Sequence, residues 1–201
     1  MTKRYYFLIR YIPAHADFEL LAGRCIYQMH LFMVNNRQAM NKIGVSFPEW
    51  NEASVGQSIA FVADDKELMG GLSFQPYFSL MVNEGLFELT GVCEVPDTAV
   101  EVRFVRNQTI GKSFLGSKKR RIKRSLVRAE TLGIEKALPT TEEERFIDHF
   151  HRIPISSESS GHDYVLFTQK EFADEPPSAD FNSYGLATNH EKRGTVPDLR
   201  F

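Results

Sequence analysis

Three stretches of this sequence have residue types and spacings that could do chemistry or bind a charged partner. Gly111 to Arg128 holds eight basic residues (Lys112, Lys118, Lys119, Arg120, Arg121, Lys123, Arg124, Arg128) and no acid. The whole chain has 24 Lys+Arg against 26 Asp+Glu, so the remainder is acidic and the basic run is a local device. Clustered cations of this kind fit a polyanion, or else form a solvated helix face or a localisation tag. Arg106 and Gln108 stand two apart, which on an extended segment turns both side chains the same way. Arg matches guanine O6/N7 and Gln matches adenine N6/N7, each through two hydrogen bonds. Asp148-His149-Phe150-His151 offers two imidazoles but no Cys or third ligand nearby, so a surface cluster is the preferred reading over a metal site. Gly111-Lys112-Ser113 ends like a phosphate-binding loop, but the pattern needs Gly where Arg106 stands, and it is rejected. His30 is a lone histidine late in a helix, one residue off its apolar stripe, where a structural role is the commoner one.

These residues need elements to hold them. Tyr5–Ile12 reads as a buried strand. Ala16–Asn35 reads as a helix, with Phe18, Leu21, Cys25, Met29 and Phe32 at helical spacing. Strands are expected at Ile43–Phe47 and Gln57–Ala63, a short helix from Asp64 to about Met69, then strands at Leu86–Glu94 and Ala99–Arg106. The order β-α-β-β-α-β-β is that of a ferredoxin-like sandwich, the architecture of RNA-recognition domains. Phe114–Leu132 reads as a helix with one narrow apolar stripe of Leu115, Ile122, Leu126 and Ala129 for docking, and with Arg120, Arg124 and Arg128 on another face. A second helix is expected to open at Thr140–Glu144. Short strands are expected at Ile153–Ser160, Tyr164–Thr168 and Ser183–Ala187. The fold class is α+β, with a ferredoxin-like domain over 1–110 and a smaller α/β domain over 111–201 that carries the basic helix.

The bulk properties narrow the class. Cys25 and Cys93 make no disulfide framework, which points to a reduced, cytoplasmic protein. The N-terminal apolar run is broken by Arg10 and has no cleavage site, so no signal peptide is expected. No stretch approaches the length of a membrane helix.

Several short motifs follow one another along the chain: Ile43-Gly44-Val45-Ser46-Phe47-Pro48, Arg106-x-Gln108, the basic helix, Ser157-x-Ser159-Ser160-Gly161-x-x-Tyr164, Ser183-Tyr184-Gly185-Leu186, Val196-Pro197 and a final Phe201. Along nearly its whole length the chain resembles the type I-F CRISPR crRNA-processing endoribonucleases. The resemblance implies an N-terminal ferredoxin-like domain, a C-terminal domain with an arginine-rich helix, and a substrate that is the hairpin of each CRISPR repeat, cut at the 3′ base of its stem. It implies His30, Ser157 and Tyr184 as catalytic residues and Tyr164 as the ring that stacks on the terminal base pair. Arg106 and Gln108 would read bases at the stem foot. Lys119, Arg120, Arg121, Lys123, Arg124 and Arg128 would track the groove, with Ser159 and Ser160 also on the RNA. Asn189–Arg193 is a polar insertion beside the family pattern.

RNA supplies its own nucleophile, so in-line attack by the 2′-hydroxyl needs a proton acceptor or donor but no metal or other cofactor. Histidine suits either role because it titrates near neutrality. The implied partners are the repeat hairpin and the other subunits of a type I-F surveillance complex, with no membrane and no small-molecule cofactor. Two other readings remain: a non-catalytic hairpin-binding subunit, and a DNA-binding regulator that uses the basic helix.

Overall fold

The computed structural model describes residues 3–132, 148–157 and 162–199. Strand β1 (Tyr5–Tyr11) is buried along most of its length and forms the middle of the first sheet. It pairs antiparallel with β3 (Ser58–Ala63), in a register that sets Phe7 opposite Phe61. β2 (Gly44–Ser46) lies outside β3, so the order is β2-β3-β1-β4 with β4 at Phe87–Leu89. The strand expected over Leu86–Glu94 is broken in two. β4 and β5 (Cys93–Glu94) both pair with β1, and between them the Thr90 hydroxyl accepts from Leu8 N–H at 2.9 Å. That side chain interrupts the ladder just before Gly91.

Helix α1 (Phe18–Asn35) starts two residues later than expected because Asp17 caps it, accepting from Leu20 N–H. A carboxylate there satisfies one of the donors a helix leaves unpaired. Its buried face is Ala22, Cys25, Ile26, Met29, Phe32 and Met33. α2 (Lys66–Ser73) is capped by Asp65. A further helix, α3 (Pro76–Asn83), was not expected. Pro76 sits in its first turn, where a missing N–H costs nothing, and its Phe78 packs against Phe7 and Phe61.

β6 (Glu101–Arg106), expected as the last strand of the first sheet, instead lies within the second. The order there is β10-β6-β8-β7, with β7 at His151–Ser157, β8 at His162–Phe172 and β10 at Val196–Pro197. β9 (Ala187–Thr188) runs parallel to β6. The expected strand over Ser183–Ala187 is therefore mostly a turn. The chain leaves β6 through α4 (Gln108–Ser113) and α5 (Leu115–Leu132). The helix expected from Thr140 falls outside the described residues.

One core joins the sheets. The Phe47 ring meets Phe104 edge-on at 5.0 Å, and Trp50 lies 5.4 Å from the same ring. Ser46 Oγ donates to the Pro197 carbonyl at 3.0 Å. α1 lies directly on β7: a Cβ at Gly23 would collide with the Pro154 carbonyl oxygen. Glycine is what lets this helix and strand approach so closely. Among the described residues no helix is long and apolar enough to cross a membrane.

Candidate functional site

His30 lies late in α1, half-buried, where the helix passes the turn before β9. That turn is built by Asn182. Its Oδ1 accepts from Tyr184 N–H at 2.8 Å and Leu186 N–H at 3.3 Å, and its carbonyl accepts from Gly185 N–H at 3.0 Å. Gly185 has φ +70° and gives its own carbonyl to Val45 N–H at 2.9 Å, which fastens the turn to β2. An added Cβ there would meet Val45 Cγ2 at 2.7 Å, Ile43 O at 2.9 Å and Met29 Cε at 3.1 Å. Only glycine fits both the left-handed backbone and the space.

The turn presents two groups to His30. The Ser183 carbonyl lies 2.7 Å from Nδ1, and the Tyr184 ring stacks on the imidazole, with centroids 4.8 Å apart and planes at 26°. A carbonyl only accepts, so Nδ1 carries the hydrogen and, in the neutral ring, Nε2 keeps the lone pair. The tautomer of His30 is thus set by backbone. Beyond Tyr184, the Tyr164 hydroxyl donates to the Tyr184 hydroxyl, and the two rings meet edge to face at 5.8 Å. Burial pushes the Tyr164 hydroxyl well above its ordinary pKa, and the bond to Tyr184 adds to this, so it remains a donor at neutral pH. The Arg106 guanidinium lies 5.3 Å from the centroid of the Tyr184 ring. Its buried Nε has no hydrogen-bond partner among the described residues.

His30, Tyr184, Tyr164 and Arg106 thus come together from four separate parts of the chain. Gln108 does not join them in the way expected. The Asn107 side chain accepts from Thr109 N–H and starts α4, so the extended register ends at Arg106 and Gln108 is the exposed first residue of a helix. Ser157 ends β7 opposite His162 in the hairpin register. Ser159 and Ser160 fall outside the described residues.

α5 carries the basic run apart from Lys112, which lies in α4. Arg120, Lys123, Arg124 and Arg128 line one open depression together with Val127, while Lys119 and Arg121 belong to the same helix. Of the stripe expected to dock, Ile122 is 37% and Leu126 43% exposed. Among the described residues α5 packs mainly against α4, at the end where it leaves the body.

The His149–His151 pair lies elsewhere. The two Nε2 atoms are 3.1 Å apart, and His151 Nε2 also lies 2.8 Å from the Asn51 carbonyl, to which it donates. The His151 ring packs edge-on against Trp50 at 4.4 Å. Burial lowers the His151 pKa and the neighbouring His149 adds to this, whereas the Asn51 hydrogen bond and Glu19 oppose it.

Reasoning from sequence missed the Ser183 carbonyl, the Asn182 turn and the contact of Arg106 with Tyr184. The signal available was Asn182 three residues before Gly185, a common arrangement in tight turns. Residues 6–199 match the family model described as CRISPR-associated protein (Cas_Csy4). No curated protein matches the chain.

Proposed function

Because the chain belongs to the CRISPR-associated Cas_Csy4 family, whose members are proteins of the crRNA-processing, endoribonuclease type, we propose that it binds the hairpin of the CRISPR repeat and cuts the precursor at the 3′ base of the stem. The 2′-hydroxyl beside the scissile phosphate attacks the phosphorus. The new P–O2′ bond replaces the P–O5′ bond, and the proton on O2′ is balanced by one delivered to O5′. The products are a 2′,3′-cyclic phosphate and a 5′-hydroxyl, and the step balances without a metal.

The observation that carries this reading is His30, held between the Ser183 carbonyl and the Tyr184 ring. With Nδ1 committed to the carbonyl, Nε2 is the atom that takes the proton from O2′ or, once protonated, gives one to O5′. Tyr184 orients the imidazole. Ser157 positions the nucleotide that bears the 2′-hydroxyl, and Tyr164 offers its ring to the last base pair. Arg106 and Gln108 read the stem foot. The cations of α5 lie along the phosphates where the hairpin opens its deep groove, which supplies affinity without base readout. After cutting, the protein stays on its product as a subunit of the crRNA-guided surveillance complex.

The test uses synthetic repeat-hairpin RNA. His30→Ala is expected to cut about 10²–10⁴-fold more slowly at saturation, as for loss of a group that moves a proton. It should bind nearly as well as the wild type, and excess EDTA should leave wild-type cutting intact. A normal rate in the variant removes His30 from the chemistry. Binding without cutting by the wild type would instead mark a hairpin-holding subunit.

A further inference from the structure

The position of α5 poses a mechanical question. Its cations must meet a rigid hairpin, yet Ile122 and Leu126 stay exposed and, among the described residues, its main packing lies at the end nearest α4. Among the described residues, the contacts that can set the direction of the helix are therefore those where it leaves the body.

At that point stands a cluster that the proposed chemistry leaves unused. Phe114 separates α4 from α5 and lies 5.7 Å from the Phe167 ring of β8. Arg152 of β7 is directly across from Phe167 in the strand register. Its guanidinium lies 5.1 Å from the Phe114 centroid and 5.7 Å from that of Phe167. Phe150 closes another side, 6.0 Å from Phe167. Gly111 belongs to the same joint. A Cβ there would meet Phe167 Cε2 at 2.8 Å, so glycine lets α4 lie against the ring. The Gly-Lys-Ser sequence that resembled a phosphate loop thus owes its glycine to packing.

We propose that Arg152, lodged against the rings of Phe114 and Phe167, is a positioning residue that fixes the angle at which α5 leaves the body and thereby sets affinity for the hairpin without acting on the chemical step. A planar guanidinium suits the task because it stacks on aromatic faces. When the joint is loosened, only a fraction of molecules hold α5 in the binding-competent direction, and apparent affinity falls by that fraction. The RNA part of this inference rests on the function proposed above; the mechanical part does not.

Two measurements test it. The exposed native Cys93 and a Glu130→Cys substitution, both spin-labelled, report the distance between body and helix in the free protein, since Cys25 is buried and stays unlabelled. Arg152→Ala and Phe114→Ala should broaden or shift that distance, with Arg152→Lys in between. Binding of synthetic repeat-hairpin RNA should weaken roughly fivefold to thirtyfold in Arg152→Ala, the range expected for loss of a cation held on two rings. Its single-turnover rate at saturating RNA and its salt slope should match the wild type. An unchanged distance in Arg152→Ala overturns the proposal. So does a salt slope reduced by about one with distances intact, which would make Arg152 a phosphate contact. Arg152→Lys, at an exposed position, keeps the decision open to experiment if Phe114→Ala fails to fold. If the wild type neither binds nor cuts the hairpin, the functional reading fails, while the distances still decide the joint.

Discussion

Gly185→Ala should damage the site without touching any group that reacts. Two costs add. The residue sits at φ +70°, a conformation that costs an L-residue about 1–2 kcal/mol. The new methyl would also press on Val45 Cγ2 at 2.7 Å, Met29 Cε at 3.1 Å and the Ile43 carbonyl oxygen at 2.9 Å. That carbonyl is backbone and cannot swing aside as a side chain does. Overpacking of this sort costs about 1–3 kcal/mol, for a total of about 2–5 kcal/mol. Gly85 separates the two terms, since it has φ +68° with nothing within 4 Å of an added Cβ. Gly85→Ala should therefore lose only the backbone share, and Gly91→Ala, with ordinary φ and open space, almost nothing. Urea unfolding of the three variants gives the ranking. If Gly185→Ala relieves its contacts by moving the turn, Ser183 O and Tyr184 move away from His30. A displacement near 1 Å is expected to slow cutting about a hundredfold, measured by single-turnover cleavage at a temperature where the variant is folded. Equal stability of Gly185→Ala and Gly85→Ala, together with an undiminished rate, would refute the argument that packing at this glycine holds the site.

Replacing Arg120 and Arg124 with Ala should weaken hairpin binding and lower the dependence of log K on log salt by about 0.7–0.9 for each phosphate no longer neutralised; filter binding from low to moderate salt checks this. Arg106→Ala should relax discrimination at the stem foot by about 1–3 kcal/mol, and Gln108→Ala likewise, read by exchanging the closing base pairs of the hairpin and comparing affinities. His151 makes stability depend on pH. Its folded pKa lies below its unfolded value, so the unfolded chain takes up the proton first as pH falls. The contribution is complete above about pH 6.5 and is lost as pH drops through the folded value. Urea midpoints from pH 8 to pH 5 should fall more steeply for the wild type than for His151→Gln.

Much of the fold could be read from the sequence where a pattern had one meaning. The apolar residues of α1 recur at helical spacing, and the helix appears with the cap that Asp17 dictates. α3 was missed because Pro76 reads as a breaker unless the chain is known to begin a helix there. β6 has the composition of a buried strand in either sheet, and nothing local says which neighbours it takes. Its pairing with β8 and β10 depends on segments far along the chain. Arg106 and Gln108 looked like a pair on one face, but the Asn107 side chain outweighed the extended pattern by capping a helix. His30 and Tyr184 were named only through the family resemblance, and their own residue types did not say what would hold the imidazole. Its partners are a carbonyl, which any residue supplies, and a ring brought close by a turn.

The bond between His30 and Ser183 spans 153 residues. Folding of contacts so distant in sequence is slow, because a long loop must close before they form. A nascent chain that has made only the first sheet carries its imidazole without the carbonyl or the ring that orient it. A chain at that stage lacks the organised centre on which the proposed cleavage depends. The same holds in reverse under mild denaturation: loosening the stretch around residue 184 should silence the site while the first sheet stays folded. Hydrogen exchange in that turn is expected to track loss of activity more closely than exchange in β1.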